Sequence, residues 1–154
     1  MSRQEQASGL GEAVDPGIVA RRLYESFMVG DLETVAGLLA GDVVFHVPGT
    51  GVNAGDYHGR DGVLAFFAQA SRLTGGTLRI ELRNVLVGDT YAAAVATYRA
   101  TRPNRVQLEN NLVHLMRFED GRIVESWFHS RNQYEVDEFW AKESVAAPQE
   151  GRNG

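Results

Sequence analysis

The stretch VHLMRFEDGRIVESWFHSRNQ, residues 113–133, gathers two imidazoles, a carboxylate and an indole around one Asp-Gly turn. With Asp120 and Gly121 as the loop of a type I′ hairpin, regular pairing sets Met116 opposite Glu125, His114 opposite Trp127 and Leu112 opposite His129. Side chains directly opposite share a face, so these groups would look into one hollow. Imidazole changes charge near neutral pH, which suits His129 to act as an acid or base on a bound molecule. His114, deeper along its strand, could position or protonate a substrate oxygen, and Glu125 could orient one of the two rings. The structural alternative for each histidine is a ring held by hydrogen bonds in the core or at a strand end.

The same count through Pro103-Asn104 and Gly88-Asp89 adds Asn110, Asn84, Leu112 and Met116 to this face, with small Ala93 and Val95 at its middle. Polar groups packed solidly would each need a partner, at about 1–3 kcal/mol for every one left unmet. A pocket lets water or a ligand satisfy them, so a cavity is the economical expectation. His46, Tyr24 and Tyr57 could approach its mouth, where tyrosine hydroxyls can stabilise an oxyanion. Phe67 belongs to the apolar side of a helix that would supply wall. Neither the two histidines nor their neighbours have the spacing of a metal site.

These groups need a frame, and the periodicity supplies one. Asp15-Pro16 reads as an N-cap with proline at the first helical position, and Ile18, Val19, Leu23 and Phe27 continue at helical spacing. Asp31 caps a second short helix ending near Leu39. DVVFHVPG is a strand stopped by Pro48-Gly49, with a further short strand near Tyr57. Asp61 opens a third helix that Gly75-Gly76 breaks. The period then changes to two through four strands, TLRIELRNVLV, TYAAAVATYRAT, RVQLENNLVHLMRF and RIVESWFHS. QYEVDEFWAKE returns to helical spacing. The expectation is an α+β domain over 15–143, between a flexible lead-in (1–14) and a disordered tail (144–154).

Composition narrows the function. With 154 residues, 44% hydrophobic and 23% charged, the chain can bury one core. A net charge of −5 and no clustered Lys/Arg argue against nucleic acid or an anionic membrane as partner. There is no cysteine, so disulfides and thiolate chemistry are excluded. No apolar run resembles a signal peptide or a membrane span, and a cytoplasmic location is expected.

The segments YESFMVGDLETVAGLLAGDVVFHVPG, YHGRDGVLAFF, VHLMRFEDGRIVESW and NQYEVDEFW resemble the NTF2-like superfamily, in its SnoaL-like, ketosteroid-isomerase-related branch. The resemblance implies a strongly curved, mixed but mainly antiparallel sheet wrapped like a cone around about three helices, with a C-terminal helical segment. It also implies a homodimer through the outer sheet face, whose Val113, Leu115, Val124 and Phe128 would be exposed. Relatives with a DQY pattern often carry aspartate where this chain has Asn132, which cannot abstract a proton; Asn132 is then a substrate-binding candidate. The function implied is cofactor-independent acid/base chemistry on a small apolar, steroid- or polyketide-like molecule, of isomerase, cyclase, dehydratase or epoxide-hydrolase type. The alternative is a non-catalytic binding module or dimeric scaffold on the same fold.

Overall fold

The computed structural model describes residues 15–103 and 107–142, so the expected lead-in and tail lie outside the described residues. In chain order the elements are α1 (Pro16–Met28), α2 (Leu32–Gly37), β1 (Leu39–Val47), β2 (Gly55–His58), α3 (Gly59–Leu73), β3 (Arg79–Val87), β4 (Tyr91–Ala100), β5 (Leu108–Glu119), β6 (Arg122–Ser130) and α4 (Gln133–Phe139). They form an α+β domain around one six-stranded sheet of order β2-β1-β6-β5-β4-β3, which does not close. β1 and β6 run parallel and every other pair is antiparallel.

Local chemistry explains the helix starts. The Asp15 carboxylate accepts from Gly17 N–H at 3.0 Å with Pro16 at the first helical position, and Asp31 accepts from Thr34 N–H at 3.1 Å. Asp61 is not the cap of α3. The helix begins at Gly59 behind His58, and Asp61 sits in its first turn, where a carboxylate complements the helix dipole. β1 starts at Leu39, earlier than DVVFHVPG, because Leu39 is fully buried and pairs with Ile123. The short strand near Tyr57 is β2.

α1 lies across β3 and β4, α3 across β1 and β2, and their apolar stripes meet the inner sheet face. A second, smaller cluster seats α4: Phe139 and Trp140 pack with Ala70, Ala100 and Leu108.

The strand register departs from regular hairpin counting in three places. In β6 a bulge follows the turn. Asp120 and Gly121 both have positive φ, as a type I′ turn demands, and Phe118 faces Ile123, but Arg117 then faces Glu125. From there the parity is reversed, and Met116 faces Ser126, His114 faces Phe128 and Leu112 faces Ser130. The β3–β4 turn is one residue later than Gly88-Asp89, with Val87 opposite Ala92 and Gly88 N–H bonded to Tyr91 C=O at 2.7 Å. A β3 bulge between Leu82 and Asn84 then restores Ile80 and Leu82 to the inner face. Between β4 and β5, Ala100 faces Leu108, so Ala94 rather than Ala93 is opposite His114. The expected Pro103-Asn104 turn falls partly outside the described residues.

Candidate functional site

Between the helices and the inner sheet face lies an aromatic-walled cavity of about 120 Å³. That is the size class of protein voids that accept a single-ring guest. Leu23, Tyr24 and Phe27 of α1, Phe66 and Phe67 of α3, and Phe128 of β6 form its apolar wall.

Its most buried polar group is His114, 1% exposed on β5. The ring stacks on Phe128 with centroids 4.0 Å apart and meets the edge of Phe45 at 5.4 Å. Tyr24 of α1 reaches across, its hydroxyl 2.9 Å from His114 Nδ1. Burial pulls the imidazole pKa down to about 3, so His114 is neutral at physiological pH. The same burial pushes the Tyr24 phenol well above its ordinary value and keeps it protonated.

Counting protons assigns the tautomer. Tyr24 has no other hydrogen bond among the described residues. If His114 donated from Nδ1, the buried Tyr24 proton and the Nε2 lone pair would both go unmet. If Tyr24 donates to Nδ1, one group is left over, the Nε2–H. His114 Nε2 is indeed buried without a partner. His114 therefore holds a fixed, neutral N–H donor with no acceptor among the described residues.

A second polar group lies further along the same face. Asn110, 4% exposed, donates to Ser130 Oγ at 3.0 Å, and Trp140 Nε1–H donates to the Tyr98 hydroxyl at 2.9 Å. The rim is built by α4 against the loop after β1. Asp137 Oδ1 accepts from Thr50 N–H at 3.1 Å and from Gln133 Nε2 at 2.9 Å, while Val52 N–H donates to Trp140 C=O at 2.8 Å. Gly49 has φ +101°, and a Cβ there would collide with Asp137 and Gln133, so only glycine lets loop and helix close together.

Of the residues expected at the site, Tyr24, Phe67, Asn110, Leu112 and His114 line the cavity. Met116, fully buried, and Tyr57, whose hydroxyl donates to Asn53 C=O at 2.7 Å, are not part of its lining. Four expectations are corrected by the β6 bulge and β3 turn: Glu125, Trp127 and His129 lie on the outer face, and Asn84 is exposed beside the β3 bulge, bonded to Val85 N–H. His129, exposed opposite Val113, does not share a hollow with His114. Asn132 is not at the cavity; it is the N-cap of α4, accepting from Glu135 N–H at 3.3 Å.

His46 also faces outward. Its Nδ1 is 2.8 Å from Asp56 and its Nε2 is 2.7 Å from Glu125, with the ring stacked on Trp127. Burial pulls this imidazole down, but the hydrogen bonds to Asp56 and Glu125, together with their charges, outweigh it and raise its pKa. Glu125, in turn, is lowered first by its bond to His46 and further by Arg117.

Counting from regular turns missed Tyr98, Phe128, Ser130 and Asp137. The first three have the strand parity that bulge and turn reverse. Asp137 lies one residue after Val136 on a short helix whose polar side a sequence presents as solvated.

A family model described as a SnoaL-like domain matches residues 20–126. Bal32a, from a soil-derived mobile gene cassette, is 30% identical over 84% of this chain and 99% of its own, with a TM-score of 0.80. A Xanthomonas campestris protein of unknown function with a cystatin-like fold is 25% identical over 84% of this chain and all of its own (100%), with a TM-score of 0.78. IdmH from Streptomyces antibioticus, a candidate polyketide cyclase, is 26% identical over 80% of this chain and 96% of its own, with a TM-score of 0.65. No curated protein gives a match. NTF2-like fold, aromatic cavity and a family model spanning more than half the chain agree: the protein belongs to the SnoaL-like family.

Proposed function

We propose that the cavity binds a small, largely apolar aromatic or polyketide-like ketone and polarises its carbonyl oxygen through the Nε2–H of His114. The observation that carries this reading is the orphan donor itself. A buried donor left unmet costs about 1–3 kcal/mol, so a ligand acceptor that meets it gains roughly 5- to 150-fold in affinity. A neutral donor fixed by Tyr24 needs no reorganisation as negative charge develops on the oxygen, which is the electrostatic form of catalysis for enolisation, isomerisation or cyclisation. IdmH, named above as a candidate polyketide cyclase, supports that substrate class. His114 acts here as an electrophile; with its pKa near 3 it does not shuttle protons at neutral pH.

A second reading, a binding module that does not turn its ligand over, is favoured by the absence of His129, Glu125 and an acidic residue 132 from the lining. The test is incubation with aromatic polyketide ketones, followed by mass spectrometry and binding isotherms. The catalytic reading expects altered product, lost in His114→Phe together with five-fold or more of the affinity, while circular dichroism stays native. Ligand bound but recovered unchanged would establish the binding module. Undiminished binding by His114→Phe would remove the catalytic reading and the orphan donor as the ligand's anchor.

The outer sheet face is proposed to pair with a second copy of the chain. Leu86, Tyr91 and Val113 stand on it 56%, 41% and 38% exposed, and apolar side chains gathered on one exposed face are the mark of an interface.

A further inference from the structure

Asp137 is the one carboxylate among the described residues lining the cavity, and no lysine or arginine lines it. His114, the only imidazole in the lining, is neutral. Arg102 lies behind the wall, its guanidinium 5.9 Å from the Trp140 ring centroid and its Nη1 donating to the carbonyls of Phe139 and Ala141. The Asp137 carboxylate is held from one side only. Oδ1 receives Thr50 N–H and the Gln133 amide, and Oδ2 has no hydrogen bond among the described residues.

From this geometry we infer that the cavity is a charge filter: it takes uncharged or cationic ligands and rejects carboxylates and other anions, with Asp137 as the residue that sets the discrimination. The inference rests on the cavity being a ligand site, as proposed above, and adds what the ligand must not carry. An anion entering this space would exchange water for aromatic rings, find no cation among the described lining residues to pair with, and approach a negative charge at the rim. Each of these effects has the same sign. A protonated amine reverses the last one, meeting a carboxylate oxygen and aromatic faces.

The experiment uses three probes of one shape that share an acetophenone carbonyl for His114 and differ at the para tail: 4-ethylacetophenone, 4-(2-aminoethyl)acetophenone and 4-acetylphenylacetate. Isothermal titration of the full-length protein should rank the ethyl and aminoethyl compounds within a few-fold of each other and the acetate at least about tenfold weaker. Asp137→Asn keeps an oxygen at Oδ1 for Thr50 and Gln133 but removes the charge. It should improve acetate binding about threefold or more while leaving the ethyl compound unchanged. Raising the salt from 0.05 to 0.5 M should narrow the native ratio and not that of the variant.

Acetate binding as tight as the ethyl compound in the native protein overturns the filter while leaving the ligand site standing. An ethyl-to-acetate ratio unmoved by Asp137→Asn overturns the role of Asp137. Silence from all three probes counts against the cavity as a ligand site, and the filter falls with it.

Discussion

Acidifying the native protein beside a His114→Gln variant tests whether His114 is held neutral in an aromatic box. In the unfolded chain this imidazole titrates near its ordinary 6.5, whereas in the folded protein burial brings it to about 3. A base whose folded pKa is depressed leaves the unfolded state binding more protons between those two values. Stability is therefore complete above about pH 6.5 and declines as the pH falls below it. Between pH 7 and pH 5 the linkage integral for one such group is about 2 kcal/mol, a large share of the 5–15 kcal/mol that holds an ordinary domain together. His114 is 1% exposed, so solvent screening takes little from that figure. Glutamine cannot titrate but still offers Tyr24 an acceptor, so the variant pays for lost stacking on Phe128 at every pH alike. Urea titrations at pH 7, 6 and 5 give the stability gap between the two proteins. It should shrink by about 2 kcal/mol across the range, because only the native chain carries the penalty. Other titrating groups are common to both and cancel in the difference. A gap that stays constant refutes the neutral, buried histidine and the orphan donor derived from it.

His46 should show the opposite sign. Its pKa is raised by Asp56 and Glu125 acting against burial, so its contribution is fully present below about pH 6.5 and lost as the pH rises through the folded value. Between pH 6 and 9 the native protein should lose stability relative to His46→Gln, by denaturant titration; an unchanging difference would remove the double carboxylate clamp. Val113→Glu, which places a charge on the outer face, should convert a dimer to monomer in analytical ultracentrifugation without altering ligand affinity. A native protein that sediments as a monomer at tens of micromolar eliminates the proposed pairing.

Much of the fold could be read from the sequence because its signals are local. Asp15-Pro16 and Asp31 cap helices by side-chain bonds within three residues, and Asp120-Gly121 supplies the two positive φ values of its turn. β5 was legible too, since Asn110, Leu112, His114, Met116 and Phe118 alternate with residues that face outward. β4 was not. Ala92, Ala94 and Ala96 on one side and Ala93 and Val95 on the other are equally able to pack, so its composition cannot choose the parity, and a turn displaced by one residue decided it. Asn110 and Tyr24 were found because their strand and helix kept regular spacing; Asp137 was missed because a rim carboxylate looks like any solvated one.

The β6 bulge shows what a regular count leaves out, and why it had to fail there. Unbroken pairing would turn Glu125, Trp127 and His129 toward the core while Ser126, Phe128 and Ser130 faced water. An ionised carboxylate beside Met116, a fully buried side chain, would be uncompensated at a cost far beyond that of one disrupted ladder position. The extra residue instead hands Glu125 to His46 and Arg117 on the outside and delivers Phe128 as the plate on which His114 stacks. One local irregularity thus gives two histidines contrary lives. Beside Asp56 and Glu125, His46 favours its charge; among Tyr24, Phe45 and Phe128, His114 is denied it. The inner ring can offer a ligand a hydrogen bond at neutral pH because, among the described residues, Glu125 and Asp56 were turned to the other side of the sheet and Asp137 was kept at the rim.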